Sequence, residues 1–187
     1  MAFRENRMAL LKRIFFHVAG ALVALFFCGA ESTPPPAVAN SEAVYAAFTV
    51  NLARFITWPE SAFAAKGAPF VIGTFPRDPI NAQLDAAVRG ESVDGHPMQT
   101  MRLHSPDDLA KCHVVFISKN LVRAGLLARV ANRPVLAVSD ADDFLEIGGH
   151  VRFVPQPSRT RLRIAVENLN ASGLEARAQL LRLAAAP

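Results

Sequence analysis

His113-Val114-Val115-Phe116-Ile117 holds four consecutive apolar residues after its histidine. A strand that is apolar on both faces must be covered on both, which is typical of a central strand in a parallel sheet. A second apolar run, Pro134 to Val138, follows a segment whose pattern predicts a helix from Leu121 to Ala131, capped by Asn120. Two buried strands joined by a helix form a βαβ unit, so the sequence predicts a mainly parallel sheet.

The same alternation of strand and helix continues on the N-terminal side. Apolar residues at helical spacing predict a first helix that ends at Trp58-Pro59, because a residue before proline disfavours helical backbone. The apolar residues of this helix are Val44, Tyr45, Phe48, Leu52, Phe55 and Ile56. The elements predicted after it are a strand over Phe70–Gly73, a helix from Asp78 to Arg89, a strand over Met98–Leu103 and a short helix capped by Ser105.

The C-terminal part has a different pattern. Strands predicted over His150–Val154 and Arg161–Val166 have no helix between them, which indicates an antiparallel hairpin at one edge of the sheet. A closing helix is predicted from Leu174 to Ala184, with Leu180, Leu181 and Leu183 facing the core. We therefore expect one α/β domain over residues 43–184, with a mainly parallel sheet flanked by helices and an antiparallel edge hairpin near the C-terminus.

The first thirty residues have the pattern of an export signal. Arg4, Arg7, Lys12 and Arg13 precede a predominantly apolar stretch from Ile14 to Phe27, which small residues follow. The stretch is about 14 residues long, whereas a membrane-spanning helix needs ~20. We expect a signal peptide over residues 1–30, with cleavage after Ala30 or alternatively after Ala39, and a proline-containing linker over residues 31–42.

Export changes what charge and cysteine content imply. Residues 1–30 hold four of the 20 basic and one of the 16 acidic residues, so the formal charge falls from +4 to +1. A nearly neutral domain without a basic stripe argues against a nucleic-acid partner. Cys112 becomes the remaining cysteine of the domain. We expect it to be a buried apolar residue, the alternative being a disulfide between two chains.

The sequence contains none of the phosphate-binding, metal-binding or nucleophile motifs for which it was searched. The turn after the first predicted strand, residues 74–78, is too bulky for close approach to a phosphate, and the sequence has no glycine-rich phosphate loop. Asp140, Asp142 and Asp143 lack the calcium-loop pattern and are interpreted as a solvated turn. Ser118 and Ser139 follow strands but lie outside a nucleophile elbow. No catalytic, cofactor-binding or metal-binding residue is predicted, and we expect that the protein is not an enzyme.

Several segments together resemble the YfiR-like family of exported bacterial proteins. In family order they are Phe55–Pro59, Phe70–Gly73, Cys112–Ser118, Pro134–Asp140, Phe144 with Gly148-Gly149, Val151–Val154, Gly173-Leu174 and Leu180–Ala184. The resemblance implies a periplasmic α/β domain that is often a homodimer and is not an enzyme. It also implies a partner, the periplasmic domain of an inner-membrane diguanylate cyclase or histidine kinase. Restraint of the cyclase would lower cyclic-di-GMP and disfavour biofilm.

The chain departs from the family pattern at three places. In some members a disulfide bond joins the first strand to the cysteine equivalent to Cys112. Here Val71 or a neighbouring apolar residue occupies the first-strand position, so the resemblance does not imply this bond. The family's late strand carries a glutamate where Arg163 lies, which reverses a charge and bears on partner choice. Arg177-Ala178 replaces paired serines.

Together with the export pattern, the resemblance implies a periplasmic regulatory protein that binds and restrains an inner-membrane signalling protein. We expect the contact region to be the edge hairpin from Arg152 to Glu167, together with Phe144. The residues predicted to bind the partner are Phe144, Arg152, Arg161, Arg163 and Glu167. The alternative function is a periplasmic sensor that binds a small molecule in a pocket at the strand ends.

Overall fold

A computed structural model describes residues 41–123 and 125–185. The predicted signal peptide and nearly all of the predicted linker lie outside the described residues. In chain order the elements are α1 (Ser41–Phe55), β1 (Ile56–Thr57), β2 (Phe70–Thr74), α2 (Asn81–Ala87), β3 (Ser92–Val93), β4 (His96–Arg102), β5 (Val114–Ile117), β6 (Leu136–Ser139), β7 (Val151–Pro155), β8 (Thr160–Ile164), α3 (Val166–Ala171), β9 (Glu175–Ala176) and α4 (Ala178–Ala185). Short 3-10 turns lie at Glu60–Ala62, Pro106–Lys111, Lys119–Leu121 and Leu127–Arg129.

Seven strands form one mixed sheet in the order β3-β4-β2-β5-β6-β7-β8. The four inner pairings, β4 with β2, β2 with β5, β5 with β6 and β6 with β7, are parallel. The pairings at both ends, β3 with β4 and β7 with β8, are antiparallel. The predicted fold is therefore confirmed, including the antiparallel hairpin near the C-terminus. A separate antiparallel pair joins β1 to β9.

The central strand β5 is buried along its whole length, and its side chains alternate between two cores. Val114 and Phe116 point into the helix-side core, which takes buried residues from each of the described helices (Leu52, Leu84, Leu169 and Leu180). Val115 and Ile117 point into the turn-side core, which is closed by 3-10 turns and loops (Leu109, Leu127 and Phe144). The two faces of the sheet thus have covers of different kinds.

Several details of the predicted elements are wrong, among them the start of the closing helix, which lies at Ala178 and not at Leu174. The predicted helix Leu121–Ala131 is replaced by two 3-10 turns, and Gly125 between them has a φ of 74°. A residue with positive φ cannot continue a right-handed helix. Val166 belongs to α3 and not to a strand. In the closing helix Leu180 is buried as predicted, whereas Leu181 and Leu183 are 37% and 58% exposed.

Two buried histidines extend the parallel ladder. The backbone N–H of His113 donates to the Val71 carbonyl (2.9 Å), and the Val71 N–H donates to Nδ1 of the same histidine (3.0 Å). His150 and Ala137 repeat this arrangement, with distances of 3.1 and 2.8 Å. In each case the imidazole supplies an acceptor where the strand pairing begins. Such an acceptor exists only while Nδ1 carries no proton.

Burial lowers the pKa of both imidazoles, that of His150 to about 4. A histidine in the unfolded chain has a pKa of ~6.5. Between that pH and the lower pKa of the folded state, the unfolded state binds a proton that the folded state does not bind. The stability contributed by neutral His150 is therefore complete above pH ~6.5 and is lost as the pH falls towards the folded-state pKa.

The substitution His150→Asn tests this pH dependence. Asparagine keeps an acceptor near the position of Nδ1 but does not titrate, so the variant should lose less stability between pH 7 and pH 4.5 than the parent, by roughly 2 kcal/mol. Urea unfolding at both pH values measures the difference. His104→Asn, at an exposed position, is the matched control and should leave the loss unchanged. An equal loss in parent and His150→Asn would contradict the assignment.

Candidate functional site

The parallel strands β2, β5, β6 and β7 all end at one edge of the sheet, which we call the carboxyl edge. Their last residues there are Thr74, Ile117, Ser139 and Pro155. The chain leaves β2 to form β4 on one side of it and then returns to form β5 on the other side. Such a reversal opens a crevice between the connections, which is where ligands bind in open α/β sheets. The carboxyl edge between β2 and β5 is therefore the first candidate site.

Asp78 ties the two connections of this crevice together. Its buried carboxylate accepts hydrogen bonds from the Ser118 hydroxyl (2.6 Å), the Ser118 backbone N–H (3.0 Å) and the Ile80 N–H (3.2 Å). The carboxylate therefore contacts the start of the segment that leads into α2 and also the end of β5. It also anchors the loop that follows β5.

Ser118 and Ser139, the two serines predicted to follow strands, both hold neighbouring segments together, and Ser139 is the last residue of β6. The Ser139 hydroxyl donates to the Ile117 carbonyl (2.5 Å) and accepts from the Ala141 N–H (3.0 Å). Ser118 donates to Asp78, as described above. Each hydroxyl therefore links the end of its strand to a neighbouring segment of the chain.

The acidic residues after β6 separate to different partners. Asp140 accepts a hydrogen bond from the Lys119 backbone N–H (2.7 Å), and Asp142 forms an ion pair with Arg152. Asp143 is exposed. No group of three or more His, Cys, Asp or Glu side chains that could hold a metal ion occurs within residues 41–123 and 125–185.

Two cavities flank the crevice at the carboxyl edge. One, of about 400 Å³, lies on the helix side, where Tyr45, Ile80 and Phe116 meet Lys119 and Asp140. The other, of about 580 Å³, lies on the turn side. The sequence did not predict the residues of this second cavity, because they are spread over three connections that come together only in the folded sheet.

Phe144, one of the residues predicted to contact a partner, has no exposed surface. Its ring packs on Gly149, where a Cβ atom would lie 2.2 Å from the ring carbon Cδ1. The ring fills the turn-side core and does not reach a surface that a partner could touch. The structure therefore removes Phe144 from the predicted contact region.

Of the other four predicted residues, the three arginines lie on the edge hairpin of β7 and β8, and Glu167 follows the hairpin. Arg152 lies opposite Arg163, and Val154 lies opposite Arg161. Residues paired in this way point to the same face, so the three arginines share the face of the hairpin that points away from the helix-side core. Arg152 is paired with Asp142 and its side chain is 13% exposed, whereas Arg163 is exposed. Glu167 is exposed in the first turn of α3.

Strand β8 is the last strand of the sheet, and β7 is its only strand partner within the described residues. An edge strand presents unpaired backbone groups that another chain can use to extend the sheet. Charged side chains on an edge strand also protect it from indiscriminate pairing. The hairpin therefore offers a surface whose arginines restrict which chains can bind.

Cys112 is free and buried, which confirms the burial expected of it. Burial raises the pKa of its thiol to about 12. Gly73 of β2 lies against it, and a Cβ atom at Gly73 would be 2.5 Å from Sγ and 3.0 Å from Cδ2 of Leu103. The first strand thus meets this cysteine at a residue without a side chain.

The substitution Gly73→Ala should destabilise the protein by about 1–3 kcal/mol, because the new methyl group overlaps the Cys112 sulfur. Adding Cys112→Ala removes the overlapping atom and should recover part of that loss. Urea unfolding of the parent, both single variants and the double variant measures the coupling. Strictly additive effects would show that the two residues do not compete for the same space.

The substitution Asp78→Asn should cost about 3 kcal/mol of unfolding free energy, because both carboxylate oxygens accept hydrogen bonds in a buried position and an amide offers a single acceptor oxygen. The loss of stability caused by Asp78→Asn should be smaller in a Ser118→Ala background, because the hydrogen bond from the Ser118 hydroxyl to Asp78 is already absent there. Asp143→Asn is the control at an exposed position and should change stability by less than about 0.5 kcal/mol. Equal effects of Asp78→Asn in both backgrounds would refute the proposed link.

Within residues 41–123 and 125–185, no helix has the length and apolar character required to cross a membrane.

Comparison with known proteins identifies the family of the chain. A family model described as YfiR/HmsC-like matches residues 42–185, which is most of the chain. This family consists of periplasmic regulators of cyclic-di-GMP signalling and is non-catalytic. No curated protein matches the chain.

Proposed function

The chain belongs to the YfiR/HmsC-like family, and on this premise we propose that it is an exported, non-catalytic regulator. Its partner would be the periplasmic domain of an inner-membrane signalling protein, a diguanylate cyclase, which it binds and holds inactive. The export pattern of residues 1–30 supports a periplasmic location. Membership of a non-catalytic family supports a role without catalysis.

The observation that carries the proposal of a protein contact is the β7–β8 hairpin. Arg161 and Arg163 point to the same face of an edge strand, and Glu167 follows on the next helix. Charges of this kind at the rim of an interface select the partner and accelerate association more than they add affinity. The basic face fits a partner with an acidic surface next to an exposed strand.

Restraint of a membrane receptor requires a difference in affinity and not binding alone. A regulator that bound the active and inactive receptor equally would shift nothing. Each tenfold preference for the inactive state shifts the equilibrium by ~1.4 kcal/mol. The hairpin therefore has to recognise a feature that the partner presents in the inactive state and not, or less, in the active state.

The test combines Arg161→Glu with Arg163→Glu in the bacterium that encodes the protein. Deletion of the gene should raise cyclic-di-GMP, and the parent gene should restore the original level. The double variant should fail to restore it, because reversal of both charges repels an acidic partner surface and weakens binding at least tenfold. Its melting temperature should remain close to that of the parent.

Arg89→Glu with Arg133→Glu is the matched control, since it makes the same change in net charge at two exposed positions elsewhere. It should restore cyclic-di-GMP to the level of the parent. Full restoration by the Arg161→Glu, Arg163→Glu variant would reject the hairpin as the contact surface. An unchanged cyclic-di-GMP level after deletion would reject the proposed function itself.

A further inference from the structure

The turn-side cavity at the carboxyl edge has the size and walls of a small-molecule site. Its volume of about 580 Å³ lies within the ~300–1,000 Å³ that is usual for ligand pockets. Its apolar walls come from Phe75 and Pro76 after β2, Pro106 after β4, and Leu121 and Leu126 after β5. All three connections leave the carboxyl edge next to the reversal of strand order, where open α/β sheets bind ligands.

The walls of this cavity are held in place without a ligand. Pro76 and Pro106 have fixed φ angles, which limits the motion of two of the three connections. The connection after β5 is anchored at its start, because Ser118 is bound to Asp78 and the Leu121 N–H donates to the Ser118 carbonyl (2.7 Å). A cavity that exists before binding loses little free energy to ordering when a ligand enters.

Three arginines line the same cavity: Arg77, Arg123 and Arg129. Arg129 donates to Asp107 (2.9 Å), whereas Arg123 donates to the backbone carbonyls of Asn120 (2.8 Å) and Val122 (2.9 Å). Arg77 forms no ion pair with any described residue. Among the described residues, Arg129 therefore has a carboxylate partner and the other two guanidinium groups have none, so the cavity carries an uncompensated positive charge beside an apolar wall.

From this combination we propose that the turn-side cavity binds an amphipathic organic anion. The apolar body of the ligand lies against Phe75, Leu121 and Leu126, and its carboxylate or sulfonate group accepts hydrogen bonds from Arg77 and Arg123. A guanidinium group presents a planar set of donors that matches such an anionic group. Arg129 mainly positions the wall, because its ion pair with Asp107 joins the connection after β4 to the one after β5.

The inference goes beyond the proposed regulatory function and does not depend on it. The ligand enters at the carboxyl edge, whereas the protein contact was assigned to the face of the β7–β8 hairpin. A binding assay that contains no partner protein tests the cavity alone. Its outcome and that of the cyclic-di-GMP experiment are therefore distinguishable.

The test is a fluorescence titration of the full-length protein with two probes of nearly the same apolar body. 1-Anilinonaphthalene-8-sulfonate carries an anionic group, and N-phenyl-1-naphthylamine does not. Combining Arg77→Gln with Arg123→Gln should weaken binding of the anionic probe at least tenfold and change binding of the neutral probe less than twofold. Pro106→Glu, which adds a negative charge to the wall, should have the same selective effect without removing either arginine.

Arg89→Gln with Arg133→Gln is the control at two exposed positions outside the cavity, and both probes should bind it as they bind the parent. Far-UV circular dichroism and the melting temperature establish that each variant is folded. Displacement of the anionic probe by 2-naphthoate indicates an aromatic body for the natural ligand, and displacement by decanoate an aliphatic one. Failure of both acids to displace it, or an equal loss of both probes in the arginine variant, would overturn the proposal.

Discussion

Strand β5 has no face that water can reach, and this constraint shapes the rest of the structure. Val114 and Phe116 require a cover on one side of the sheet, and Val115 and Ile117 require one on the other. Helices supply the first cover, since their backbone groups are paired internally. The second cover consists of 3-10 turns and loops, whose backbone groups need partners from elsewhere. Its stability therefore depends on a few specific hydrogen bonds.

Those hydrogen bonds lie at the carboxyl edge. Asp78 holds the loop after β5 through Ser118, and Asp140 accepts from the backbone of Lys119 in the same loop. The Ser139 hydroxyl joins the end of β6 to the end of β5. Buried or half-buried polar groups of this kind are also typical of binding sites. Here the partners of these polar groups lie in neighbouring loops and strand ends, so the groups organise the carboxyl edge. In the proposal for the turn-side cavity, the ligand is recognised by other residues, which are the arginines of that cavity.

The sequence was sufficient to predict the layered α/β fold, because apolar runs such as Val114–Ile117 can be buried in few other ways. It was not sufficient for the segment over residues 121–131, where Val122, Leu126 and Val130 have helical spacing but Gly125 has a positive φ that ends a right-handed helix. The position of Phe144 illustrates a second limit. An aromatic residue in a loop before two glycines is compatible with an exposed contact and with a core, and only the packing against Gly149 decides between them. Arg77 and Arg123 could not be linked from the sequence, because the order of β2 and β5 in the sheet brings them together.

The carboxyl edge also connects the two surfaces to which functions are assigned. Strand β7 is parallel to β6, so its last residue, Pro155, lies at the same edge as Ser139. The loop after β6 reaches the connection after β5 through Asp140 and reaches the hairpin through the ion pair of Asp142 with Arg152. The loop after β6 therefore contacts both the connection after β5, which carries part of the cavity wall, and the hairpin. Any effect of a bound anion on partner affinity would have to be matched by an equal effect of the partner on anion affinity, because coupling between two binding sites is reciprocal.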